Sequence, residues 1–214
     1  MIQSFHDRAN SQGQLFLLLA LASCVLLAPW SEAAREWFSL DRAAISQGQY
    51  WRIWTGQLVH TSWFHLGLNL VGLLCLMQMF GREIRSVSWL AGYLFISPFI
   101  AVCWLAADWN NLGISAGYDY VVGLSALLHG LFAFAACLVM QSDRLIASGV
   151  ILVIGAKLLA EQLYGPSVMT GEFIGMPVAA EMHVYGYVGG IFAALLLLGG
   201  MKIYAFYPLA ACEK

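Results

Sequence analysis

Ser125 and His129 stand four residues apart near the start of an uncharged apolar stretch, YVVGLSALLHGLFAFAACLVM, over residues 120–140. On a helix that spacing puts both on one face. A hydroxyl within reach of an imidazole is the starting material of nucleophilic catalysis, in which the base takes the hydroxyl proton as the oxygen attacks a carbonyl. Two other stretches carry histidines. In His60-Thr-Ser-Trp-Phe-His65-Leu-Gly-Leu-Asn69, His65 and Asn69 are one helical turn apart, and His183 opens the last apolar run. Acyl transfer needs a nucleophile, a base and donors for the oxyanion. Ser125 offers the first and His183 the second; His65, Asn69 and the backbone N–H of Ser125 offer the third. No carboxylate stands at similar depth in these three stretches, so a Ser-His dyad is expected. His129 is the rival base, but an i,i+4 pair on one helix leaves little room for a substrate carbonyl between them, and a place beside His183 is expected for it. His60 reads as a loop-anchoring donor. A single serine or histidine in an apolar helix is more often a packing hydrogen bond than a catalytic group; the argument rests on their convergence.

The elements that must position these residues are read from hydropathy. The chain has 214 residues, 61% hydrophobic and 10% charged, against about 25% charged in a soluble domain. It is expected to be an all-α integral membrane protein, a single domain over 1–214. Apolar spans run over about 15–30, 63–80, 87–107, 120–140, 145–164 and 182–204, six candidate transmembrane helices, most of them long enough for a hydrocarbon layer of about 30 Å. Ser31-Glu32-Ala33 after the first span has the form of a signal-peptidase site, but with five spans behind it an uncleaved first helix is the simpler reading. The net charge is −2 with no basic run, so no nucleic-acid partner is expected.

Basic residues in short loops orient the bundle. Arg8, Arg82, Arg85, Arg144, Lys202 and Lys214 fall at the termini and two turns of one side, and Arg35, Arg42 and Arg52 in the long first loop of the other. Both termini are therefore expected in the cytoplasm. The first loop also holds Trp30, Trp37, Trp51, Trp54 and Trp63, which favour the headgroup zone and predict an interfacial segment over 31–62. With that orientation His65, Asn69, Ser125 and His183 reach similar depth near the outer face. Small residues let helix backbones approach: His183, Gly186, Gly190 and Ala194 form one stripe, and Gly123, Ala126 and Gly130 flank the serine. Lys157 and Glu161, also i,i+4, are expected to pair with each other, since a lone charge in hydrocarbon costs several kcal/mol. The five cysteines make no CxxC pair and read as packing residues.

At these residues the chain resembles the rhomboid family of intramembrane serine proteases. The resemblance covers Tyr50-Trp51-Arg52, His60, His65, Asn69, Gly123-Leu124-Ser125, and His183 with Gly186 and Gly190, roughly residues 48–195. It implies a six-helix rhomboid-like bundle, Ser125 as nucleophile, His183 as base, His65 and Asn69 as the oxyanion pair, and Arg52 as an anchor of the first loop. Ala126 and His129 stand where the family usually has glycine and tyrosine. The histidine variant, GLSxLLHG, resembles the rhombosortase branch. That branch implies exported substrates cut near a C-terminal glycine-glycine motif followed by a transmembrane helix and basic tail, in a bacterial inner membrane with the site towards the periplasm. Membrane lipids are the other implied contact, and no cofactor is expected. Two other readings stand beside the protease. One is a non-proteolytic binder of membrane clients on the same fold, disfavoured by the presence of serine and base. The other is a metal site on His60, His65, His129 and His183, disfavoured by the lack of HExxH and of nearby carboxylates.

Overall fold

The structure, a computed structural model, describes residues 17–28, 31–109 and 118–206. Arg8, Trp30, Cys212, Lys214 and most of the 108–119 loop lie outside those residues, as does the side chain of Lys202.

The chain begins with a short apolar helix, α1 (Leu17–Leu27). The first loop follows as α2 (Ser31–Phe38), strand β1 (Leu40–Asp41), α3 (Arg42–Ser46), α4 (Arg52–Thr55) and a 3-10 turn (Gly56–Leu58). Then come α5 (Trp63–Phe80), α6 (Ser86–Trp109), strand β2 (Tyr120–Val121), α7 (Ser125–Val139), α8 (Arg144–Tyr164), α9 (Val168–Ile174) and α10 (Ala180–Phe206). Local chemistry sets several starts. The Ser62 hydroxyl accepts from the His65 N–H at 3.1 Å to cap α5, Asp143 caps α8 through the Ile146 N–H at 3.1 Å, and Ser167 caps α9.

Among the described residues α5, α6, α8 and α10 are long and apolar enough to cross a membrane, whereas α1 and α7 are shorter apolar helices. Their outer surfaces are apolar too: α8 exposes Leu152, Val153, Leu159 and Leu163, the reverse of a water-facing helix. The expected span over 120–140 is corrected at its start. Tyr120 and Val121 pair antiparallel with Asp41 and Leu40, Gly123 takes a φ of +109°, and the helix begins only at Ser125. This two-residue sheet also departs from an all-helical reading, because Tyr-Val-Val is as good a strand as a helix start.

Helix α7 is the centre of the bundle, packed most extensively on α10 and also on α8, α6 and α5. The α7–α10 approach is backbone on backbone. A Cβ at Gly186 would overlap the Ala126 carbonyl, and one at Gly190 the Gly130 carbonyl; a Cβ at Gly130 would lie 2.6 Å from the Gly186 oxygen.

The first loop is tied down by a buried charge. Arg52 donates from Nη1 to the Ser39 carbonyl at 3.1 Å, from Nη2 to the Glu36 carbonyl at 2.7 Å and from Nε to Gln49 Oε1 at 2.8 Å. Carbonyl oxygens on three sides make burial of a guanidinium tolerable. Trp51 Nε1 adds a bond to the Trp37 carbonyl. Trp37, Trp51 and Trp63 present exposed rings.

Candidate active site

Strand β2 and Gly123 deliver Ser125 to its position. The Gly123 N–H donates to the Gly56 carbonyl at 3.1 Å, holding the 120–124 segment against the 3-10 turn. Gly123 is required twice: its φ is left-handed, and a Cβ there would sit 2.5 Å from His65 Nε2. Ser125 is then the first residue of α7, so its own N–H belongs to the first-turn donors that have no intrahelical acceptor.

From α10, the buried His183 brings Nε2 to 3.0 Å from Ser125 Oγ. The glycine contacts one and two turns along the same helices make this approach possible. The other ring nitrogen, Nδ1, lies 3.1 Å from Glu161 Oε2 on α8. Glu161 Oε1 in turn pairs with Lys157 Nζ at 2.8 Å.

His129 meets His183 face to face, with ring centroids 4.4 Å apart and planes at 20°. Its Nδ1 lies 2.7 Å from the Ser125 carbonyl, which can only accept, so Nδ1 carries the hydrogen. Its Nε2 takes the Lys157 ammonium at 2.9 Å. Both nitrogens are thus occupied away from the Ser125 hydroxyl.

On α5, Asn69 and His65 border the serine. The buried Asn69 Nδ2 has no hydrogen-bond partner among the described residues, and it lines the same groove as Ser125. His65 is more constrained. Thr61 spends its one hydroxyl hydrogen on the Ile174 carbonyl at 2.6 Å, so at 3.1 Å it must accept from His65 Nδ1. In a neutral ring the lone pair then sits on Nε2, the atom facing Gly123. His60 packs edge-on against His65 with centroids 4.9 Å apart and bonds the Leu58 backbone. Burial, then the neighbouring His65, holds its pKa down at about 3, so it is neutral near pH 7.

Helix α9 covers the site. Besides the Thr61–Ile174 bond, Ser62 Oγ reaches the Phe173 carbonyl at 3.4 Å and Phe64 packs on Phe173. Beneath it a cavity of about 40 Å³ lies among His65, Gly123, Ser125, Met176 and His183. On the other side of the serine a wider apolar groove, about 470 Å³, opens between α5, α7 and α8 past Leu68, Asn69, Phe132 and Val153.

Ser125, His183, His65, Asn69 and His129 therefore gather in one place, with Gly123, Gly186 and Gly190 at the backbone contacts around them, while His60 stands behind His65. Sequence reasoning missed Glu161. Its expected ion pair with Lys157 is present, but a dyad was expected because the apolar spans bearing Ser125, His183 and His65 hold no carboxylate of their own. A carboxylate within one turn of the same end of the neighbouring span was the available signal.

The Rhomboid domain model matches residues 47–200, most of the chain and every residue of this cluster. No curated protein matches the chain. The chain belongs to the rhomboid family, whose members are intramembrane serine proteases acting on transmembrane substrates. Its apolar helices and this membership make it an integral membrane protein.

Proposed function

We propose that the chain is an intramembrane serine endopeptidase of the rhombosortase branch, with Ser125 as nucleophile and His183 as base. The observation that carries this reading is the 3.0 Å approach of Ser125 Oγ to His183 Nε2 between two different helices, the distance base-activated attack requires. As Oγ bonds to the substrate carbonyl carbon, its proton passes to Nε2, and the oxyanion faces Asn69 Nδ2 and the Ser125 N–H. The C–N bond then breaks, and His183 returns the proton to the departing amine. Water, activated by the same imidazole, releases the acyl group.

Six spans, α1, α5, α6, α7, α8 and α10, form the bundle, with residues 31–62 in the outer interface and both termini in the cytoplasm. The site then faces the periplasm of a bacterial inner membrane. The small cavity against Ser125 has room for little more than a glycine or alanine, which supports cleavage at a C-terminal glycine-glycine segment ahead of a transmembrane helix and basic tail. Glycine also favours the unwinding of that helix.

A fluorophosphonate serine probe applied in membranes tests the site. Wild type is labelled, and Ser125→Ala and His183→Ala are not; labelling that persists in Ser125→Ala removes the nucleophile. Replacing Gly-Gly by Leu-Leu in a co-expressed substrate should stop cleavage, and unchanged cleavage would favour a rhomboid protease with other substrates.

A further inference from the structure

Glu161 makes a contact that its ion pair with Lys157 does not explain. A carboxylate oxygen can only accept, and it stands 3.1 Å from His183 Nδ1. Two lone pairs would repel at that distance, so Nδ1 carries a hydrogen. In the neutral imidazole Nε2 then has the lone pair, and Nε2 is the atom facing the Ser125 hydroxyl. The opposite tautomer would point an N–H at the serine and leave it without a base.

Lys157 competes for the same nitrogen. Its Nζ lies 3.4 Å from His183 Nδ1, and an ammonium hydrogen directed there would force the unproductive tautomer. Closer partners hold it, Glu161 Oε1 at 2.8 Å and His129 Nε2 at 2.9 Å. The carboxylate thus bonds the imidazole with one oxygen and restrains the competing cation with the other. The remaining groups near His183 are His129 stacked on one face, His65 from α5, and Glu181 on its own helix.

We infer that Glu161 is the positioning residue of a Ser125–His183–Glu161 relay, fixing the base tautomer of His183 and balancing the imidazolium that forms when the serine proton is taken. This rests on Ser125 and His183 being nucleophile and base, and it replaces the dyad expected from sequence by a triad drawn from three helices.

The test uses the purified full chain, the fluorophosphonate probe and four variants. Glu161→Gln keeps the shape but presents an amide that can donate to Nδ1. Its maximal rate of probe labelling should fall roughly 10²–10⁴-fold, the scale of a lost tautomer-holding carboxylate, while the half-saturating probe concentration stays within about twofold. Glu161→Asp, which keeps the carboxylate, should recover most of the rate. Nitrogen-15 spectra of the His183 ring, assigned by difference from His183→Gln, should show the hydrogen on Nδ1 in wild type and on Nε2 in Glu161→Gln. The spectra do not depend on turnover and are read at matched melting temperature. Wild-type labelling in Glu161→Gln, or an unchanged tautomer, overturns the inference alone. Full labelling of Ser125→Ala would instead overturn the nucleophile beneath it, and the inference with it.

Discussion

The His129 ring lies against the His183 ring at a 20° angle, with its Nδ1 on the Ser125 carbonyl and its Nε2 on Lys157. Under the proposed function, a histidine so engaged is a platform for its neighbour, not a second base. His129→Phe keeps a flat ring there and should retain probe labelling within about tenfold, the worth of one aromatic contact, whereas His183→Ala abolishes it. Abolished labelling in His129→Phe, with labelling intact in His183→Ala, would move the base to His129.

His65 and Asn69, if they form the oxyanion pair of the proposed mechanism, should not be equal. Asn69 has a free buried donor, while the hydrogen of His65 points at Thr61. Asn69→Ala should lower the maximal labelling rate roughly 10²–10³-fold, as loss of one oxyanion donor does. His65→Ala should cost less. Equal losses would mean that the ring donates through Nε2 in the working enzyme.

Gly186→Ala sets a methyl group against the Ala126 carbonyl. Overpacking of this kind costs about 1–3 kcal/mol, and because the contact lies one turn from His183 it should also part that ring from Ser125. Thermal unfolding in detergent and probe labelling should fall together. Gly149→Ala, where a Cβ meets nothing within 4 Å, serves as the control and should melt within about 0.5 kcal/mol of wild type.

His60 makes stability depend on pH. Its pKa is held near 3 in the folded chain against 6.5 when unfolded, so above pH 6.5 neither state binds a proton there. As pH falls from 6.5 towards 3 the unfolded chain takes up a proton that the folded chain refuses. Stability then declines, at up to about 1.4 kcal/mol per pH unit. Unfolding followed between pH 7 and 5 should show a shallower decline in His60→Asn; an identical slope would assign it to other groups.

Much of the bundle was legible because each long helix is a continuous apolar run bounded by a capping or turn residue, as Ser62 and Gly81 bound α5. The start of α7 was not. Periodicity alone cannot separate Tyr-Val-Val in a strand from the same residues in a helix, and the deciding partner, Leu40-Asp41, lies far away in sequence. The meeting of Ser125 with His183 was foreshadowed by glycines on both helices, because small residues locate a close contact without coordinates. The reach of Glu161 was not, since it depends on how α8 is rotated about its own axis. An i,i+4 spacing to Lys157 carries no information about that rotation.

The Thr61 hydroxyl owns one hydrogen and has two claimants, the Ile174 carbonyl of the cover and the His65 ring. While α9 is seated, that hydrogen is committed outward, and His65 must surrender its own to satisfy the threonine. Were α9 to lift, the hydroxyl could turn inward, and the ring's hydrogen could move to Nε2, the edge that faces Gly123. A single rotor on the segment before α5 thus ties the seating of α9 to the tautomer of a ring that lines the same pocket as Ser125.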